Sequence, residues 1–564
     1  MKRDELLKKI ETKLKKIYGV DYRNNYIEDM KSLIKKWEKK EWAKSCPLTN
    51  KNVYLIVYGD SIYENNTKPL NTLHKFLKHY IGDVITDIHI LPMFEYTSDD
   101  GFSVVDYTKI EERLGSWDDI KLLSKDYNLM FDFVANHISK KSSWFKGFLS
   151  EEEKYNNYFI IKKSDFDTSK VIRPRTSALF HEYVGRNGIK TVWTTFSEDQ
   201  IDLNYKHFPV LLELTEVLLM YANRGASSIR LDAIGFLWKE SGTTCMHLPQ
   251  THEIIKLWRL LLDYFKPNIQ IITETNVPHN ENISYFGNGN DEANMVYQFA
   301  LPPLVLYTFT VHNSQKLTNW AKSICKISDT ATYLNFLASH DGIGIRPIEG
   351  ILEEDEKQIL INKVIKNGGQ VSYKTNDDGN QSVYELNINY FDALINLEED
   401  KESEIQIKKM LAAHAIILSF IGVPAIYYHS LLGSRNDYIG FKQSGIKRRI
   451  NREKLEFNRL IKELDSDCLR KGIFNGLKNL IYIRQKNSAF SPYAEQRILD
   501  FGDKIFALER ENKETRDKVT FIVNVDCKKI EVKSTIKGID LLTDKKIDGD
   551  LMLDSYQFMW IKNA

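Results

Sequence analysis

Four carboxylates stand at or near the ends of short apolar runs: Asp132 in LMFDFVANH, Asp232 in SSIRLDA, Glu274 in IQIITETN and Asp341 in TYLNFLASHD. Beside them stand Asn136, His137, Arg230 and His340. Any one of these alone reads as a strand-end cap or an ion pair; four separate runs supplying a carboxylate each point to chemistry. Glycosidic cleavage passes through an oxocarbenium-like state. It needs one carboxylate on the ring face and one protonated carboxyl at the leaving oxygen. Asp232 follows Arg230 by two residues on the same strand face, so its pKa is expected to be depressed and the group ionised. Glu274 lies between Thr273 and Thr275 with no adjacent cation, which suits the raised pKa of a general acid. Asp341 is placed to hydrogen-bond sugar hydroxyls and favour a distorted ring.

To converge, these residues need a scaffold that brings several strand ends to one place. Eight apolar runs read as strands, at 52–60, 87–94, 129–137, 227–233, 269–276, 295–302, 332–341 and 423–430, with helical patterns between most of them. Continuous apolar runs mark strands buried on both faces. A doubly wound open sheet shares this rhythm, but eight consecutive βα units favour a closed (β/α)8 TIM barrel, whose chemistry sits at the C-terminal ends of its strands.

The expected organisation is α/β. A helical N-terminal extension covers 1–48, with Leu6, Leu7, Ile10 and Leu14, then Met30, Leu33, Ile34 and Trp37, at helical spacing and the lysines on a solvated face. The barrel runs over 49–137 and 197–484. It is interrupted by an inserted domain at 138–196 and by mouth loops at 345–395, where NGGQ and NDDGN signal turns. A C-terminal all-β domain occupies 485–564.

The 564 residues exceed one compact core. Lys+Arg (78) nearly cancel Asp+Glu (77), so no global charge argues for nucleic acid or a membrane surface. Five scattered cysteines without metal spacing read as reduced thiols, and no signal-peptide core or run of about 18 apolar residues is present, so a cytoplasmic location is expected. No P-loop occurs.

The runs DFVANH, SSIRLDA, ITETN and LASHD, with QIDLN at 200–204, resemble in order and spacing the signature regions of the α-amylase superfamily of glycoside hydrolases. The resemblance implies a retaining mechanism, with Asp232 as nucleophile, Glu274 as acid/base and Asp341 as transition-state stabiliser. His137, Gln200, Arg230 and His340 would contact the transferred glucose, and Phe196 would wall its pocket. Motifs such as SDDGFSVVDY (98–107), RPR (173–175), WTTFSEDQIDLNY (193–205) and RRINRE (448–453) narrow it to the sucrose-phosphorylase-like subfamily. By that resemblance Asp100 and Arg448 pair to close a blind one-sugar pocket, and Arg175 and Tyr384 bind phosphate.

Several of these motifs, with SLLGSRNDY and INREK, are most similar to the branch that phosphorolyses 2-O-α-glucosylglycerate. That implies a hexosyltransferase-type phosphorylase giving glucose 1-phosphate and glycerate, with small-molecule glucoside and phosphate as partners. Sucrose, sucrose 6-phosphate or glucosylglycerol is the alternative donor. No metal or cofactor is expected beyond inorganic phosphate as co-substrate. Asn136 matches a calcium-ligand position in amylases, but the rest of that site is not recognisable. The sequence assigns no cation to a glycerate carboxylate, although Arg346 and Lys374 lie in suitable loops; His247 and His252 read as structural.

Overall fold

The computed structural model describes residues 1–375 and 380–563. Eight parallel strands close into a barrel: β1 (Tyr54–Val57), β2 (Asp87–Ile90), β3 (Asn128–Phe133), β4 (Ala226–Leu231), β5 (Gln270–Thr273), β6 (Met295–Tyr297), β7 (Thr332–Asn335) and β8 (Val423–Tyr427). Tyr54 of β1 is in register with Asp87 of β2 on one side and Ala425 of β8 on the other, which closes the ring. Nearly every strand residue is buried, as expected for strands lined by side chains within and helices without.

The surrounding helices start where local chemistry favours it. Ser116 and Asp119 form a reciprocal capping box for Trp117–Asp126, and prolines occupy the first turns of Phe208–Asn223, Pro249–Phe265 and Leu301–Val311.

The N-terminal segment forms α1 (Arg3–Tyr18) and α2 (Asn24–Trp37), which bury Leu6, Ile10, Leu14, Met30 and Ile34 and leave most lysines in solvent. They dock on the helices flanking β4: Tyr26 stacks on Phe208 with centroids 4.1 Å apart, and Tyr18 Oη donates to the Tyr205 carbonyl at 3.0 Å. Between 138 and 196, a short helix (Ser143–Leu149) and an antiparallel hairpin (Phe180–Gly185 with Gly188–Trp193) interrupt the barrel. Trp144 and Phe145 pack within that segment's aromatic cluster, away from the barrel mouth. Residues 495–563 form a six-stranded sheet with its own apolar face.

The 345–395 stretch is more ordered than turn signals suggest. Glu353 and Glu356 cap a helix at Glu354–Lys366, and Gln370–Thr375 pairs with Gln381–Asn387 beside Ile343–Gly344 in a three-stranded sheet at the mouth. Of the NDDGN turn, 376–379 lie outside the described residues. The five cysteines are free, and among the described residues no helix is long and apolar enough to cross a membrane.

Candidate active site

A cavity of about 300 Å³ opens at the C-terminal ends of the strands. Asp232, just past β4, Glu274, just past β5, and Asp341, after β7, all line it, with His137, Phe196, Gln200 and His340. The sequence-derived carboxylate trio therefore meets around one space.

Beneath that space the barrel interior is ionic. His89 Nε2 donates to Asp132 Oδ2 at 2.6 Å, Asp132 Oδ1 contacts Arg230 Nη1, and the same nitrogen donates to Asp232 Oδ1 at 2.9 Å. Arg230 lies below the wall, with its other terminal nitrogen 4.0 Å from Glu274 Oε2. One guanidinium thus serves three carboxylates.

The expected depression of Asp232 is not found. Burial raises its pKa well above the ordinary value, and Arg230 fails to offset this because Asp132 competes for the same charge while Glu274 and Asp341 add repulsion. Asp132 is the group that gains: despite its burial, Arg230 and His89 hold it low. Burial, reinforced by Asp341, also raises Glu274, as expected. Each of the two carboxylates is raised with the other acidic groups of the cavity close by, so their titrations are not independent.

Burial alone would raise Asp341 too, but Arg448, His340 and Arg452 hold it well below the carboxylate range. Arg448 Nη1 contacts Asp341 Oδ1, and its Nε and Nη2 grip Glu385 at 3.0 and 2.8 Å. The expected pair of Arg448 with Asp100 does not form. Asp99 and Asp100 both adopt left-handed backbone (φ 52° and 48°), which turns Asp100 away onto Arg452 Nη1 at 2.8 Å and leaves Asp99 lining the cavity. Arg452 also donates from Nε to the His340 carbonyl at 2.7 Å, fixing the loop that carries Asp341.

The aromatic wall is equally fixed. Phe102 stacks on the His340 ring (centroids 4.9 Å apart, 7° between planes), and its carbonyl accepts from His137 Nε2 at 2.9 Å and Gln200 Nε2 at 3.3 Å. Burial lowers the pKa of both histidines. Phe196 lies 5.2 Å from the His137 ring. The Arg175 guanidinium lies between the Phe196 and Tyr384 rings, 6.0 and 5.7 Å from their centroids.

Asn136 lies outside this wall. Its Oδ1 accepts from Lys239 Nζ at 2.9 Å, and the same ammonium sits 2.6 Å from Asp202 Oδ2 and against the Phe236 carbonyl. A side-chain cation therefore fills the oxygen cluster at that position. His247 and His252 bond Tyr285 and Glu292, both at 2.6 Å, and neither lines the cavity.

Sequence reasoning did not single out Asp99, Lys239, Glu385 or Arg452. Asp99 was within reach, since the motif offered two adjacent aspartates and only the backbone turn separates their directions.

Comparison with known proteins gives a consistent picture. The α-amylase catalytic-domain family matches residues 75–382. A glucosylglycerate phosphorylase from Escherichia coli is 42% identical, covering 98% of this chain and 100% of that protein, and one from Allomeiothermus silvanus is 44% identical over 91% of each. Among solved structures, sucrose 6F-phosphate phosphorylase from Thermoanaerobacter thermosaccharolyticum superposes with a TM-score of 0.75 at 24% identity, over 90% of this chain and 99% of that one.

Proposed function

The chain belongs to the α-amylase family, and from that premise we propose that it is a retaining glycoside phosphorylase transferring glucose from 2-O-α-D-glucosylglycerate to phosphate. The products are α-D-glucose 1-phosphate and D-glycerate. The observation that carries the reading is the meeting of Asp232, Glu274 and Asp341 around one cavity with Arg175 and Tyr384 in its wall. The relatives above 40% identity support the choice of substrate.

The catalytic proton belongs on Glu274, because Asp232 is the nearer of the two to Arg230 (2.9 against 4.0 Å). Glu274 Oε2 accepts from the Ala233 N–H at 3.1 Å, which leaves Oε1 to carry the proton to the glycosidic oxygen. Asp232 attacks the anomeric carbon as the bond to glycerate O2 breaks and Glu274 protonates that oxygen. The result is a β-glucosyl ester and free glycerate. Asp341, kept anionic by Arg448, offsets the positive charge that develops on the ring.

Dihydrogen phosphate then attacks the ester from the vacated side, passing its O–H proton to the Glu274 carboxylate, which regenerates the Glu274 acid and the Asp232 carboxylate and gives the α-phosphate. Two inversions make net retention. Arg175 supplies the cation for the phosphate, and Tyr384, whose pKa burial raises, remains a hydroxyl donor. No step draws on a metal or cofactor.

The test is an acceptor panel: glucose 1-phosphate with D-glycerate, fructose, fructose 6-phosphate or glycerol, reading phosphate release. Glycerate is expected to be the preferred acceptor; transfer to fructose alone defeats the substrate assignment and leaves a phosphorylase of another donor.

A further inference from the structure

The cavity wall carries five arginine or lysine side chains: Arg173, Arg175, Arg346, Lys374 and Arg448. Three are committed to carboxylates. Arg448 holds Asp341 and Glu385, Arg346 Nη2 lies 3.3 Å from Glu281 Oε2, and Lys374 Nζ lies 3.5 Å from Glu349 Oε1. Arg175 has the Phe196 and Tyr384 rings beside it. Arg173 has none of this. Its Nε and Nη2 are buried with no hydrogen-bond partner, and among the described residues no carboxylate pairs with it. Arg173 as a residue is only half-buried, but two of its guanidinium nitrogens are out of reach of water with no partner, which is unfavourable, and that burial lowers its pKa. Such a group is held ready for an anion that arrives from outside.

Its position indicates which anion. Ile172 N–H donates to the Thr244 carbonyl at 3.1 Å, and the Ile172 side chain packs with Met246, Phe236 and Val277, three residues after Glu274. The backbone beside Arg173 is therefore anchored to the loops that follow Asp232 and Glu274, and Arg173 lines the cavity from there, within the region the leaving group of the first half-reaction must cross.

We propose that Arg173 is a specificity-determining residue that binds the acceptor's carboxylate, an inference that rests on the reading of glycerate as acceptor. The reaction handles two anions in successive half-reactions, and the wall offers two cations free of carboxylates. Arg175 takes phosphate and Arg173 takes glycerate.

The experiment compares D-glycerate with its neutral amide, D-glyceramide, as acceptors from glucose 1-phosphate in the wild type, Arg173→Gln and Arg173→Lys. The readout is the ratio of the two kcat/KM values, which is internal to each preparation and insensitive to a partly misfolded fraction. Loss of one charge-assisted contact is expected to lower this ratio about 10- to 100-fold in Arg173→Gln. Arg173→Lys, a point charge in place of a planar fork, is expected to fall between and carries the test if the Gln variant does not fold. An unchanged ratio in a folded variant overturns the inference, and a higher KM for glucose 1-phosphate with that ratio intact reassigns Arg173 to phosphate. A wild type that glucosylates other acceptors but ignores glycerate overturns the substrate reading and this inference together.

Discussion

Nη1 of Arg230 donates to Oδ1 of Asp232 at 2.9 Å and simultaneously contacts Oδ1 of Asp132, so one buried guanidinium is divided between a carboxylate at the cavity and one inside the barrel. This division leaves Asp232, raised first by burial, with only part of one counter-charge. Asp232→Asn is expected to reduce turnover at least about 10⁴-fold, since it removes the nucleophile outright. Glu274→Gln should cost about 10²- to 10⁴-fold with glucosylglycerate. With α-glucosyl fluoride, whose leaving group needs no proton, it should recover the first half-reaction. Rescue of Asp232→Asn by the same donor would exchange the two roles.

The pH profile follows from the two protonation states the mechanism needs. Protonated Asp232 cannot attack, so kcat/KM for glucosylglycerate falls as pH drops through the lower step of the pair. Ionised Glu274 cannot protonate the leaving oxygen, so it falls again as pH rises through the upper step. Burial raises both groups, so both limbs should lie above the ordinary carboxylate value of about 4. Glu274→Gln assayed with glucosyl fluoride should keep the acid limb and lose the alkaline one. A profile flat between pH 4 and 9 is incompatible with this pair.

Asp99 and Asp100 separate by direction. Asp99 faces the cavity, and Asp99→Ala should lower kcat/KM about 10- to 100-fold, the effect of one charge-assisted contact to a sugar hydroxyl. Asp100 holds Arg452, so Asp100→Ala should act mainly on stability and, through Arg452 and the His340 carbonyl, more weakly on turnover. Thermal unfolding and steady-state kinetics on both variants check the assignment. The reverse ranking restores Asp100 to the pocket.

All eight barrel strands and the convergence of Asp232, Glu274 and Asp341 were legible because buried parallel strands are uniformly apolar and polar residues cluster where they end. What stayed hidden depends on backbone direction or shared charge. A left-handed turn at two successive aspartates decides which side chain faces the sugar. The upward shift of Asp232 comes first from burial, and then from Glu274 and from Asp132, 100 residues earlier, which claims the same arginine. The helix at Glu354–Lys366 was obscured by flanking glycines and asparagines that mark its ends rather than a loop.

Arg175 and Tyr384 should govern the second half-reaction. Arg175→Ala is expected to raise the KM for phosphate by about 10-fold or more, as loss of a charge-assisted pair does. Glucosylation of Asp232 should be less affected, so the glucosyl-enzyme partitions toward water and free glucose rises relative to glucose 1-phosphate. An unchanged ratio of phosphorolysis to hydrolysis would remove Arg175 from the phosphate site.

Lys239 ties the loop after β4 to the inserted segment, with its ammonium 2.9 Å from Asn136 Oδ1 and 2.6 Å from Asp202 Oδ2, and Asp202 in turn accepts from the Thr195 N–H at 2.7 Å. Deleting one partner of a buried ion pair strands the other charge, at a cost of about 3–5 kcal/mol. Lys239→Met should therefore melt at a lower temperature and lose activity through the displaced Phe196–Gln200 wall. Because the lysine already neutralises this oxygen cluster, chelators should leave the wild-type rate unchanged. A chelator-induced loss restored by calcium would mean that a metal, and not the ammonium, holds the segment in place.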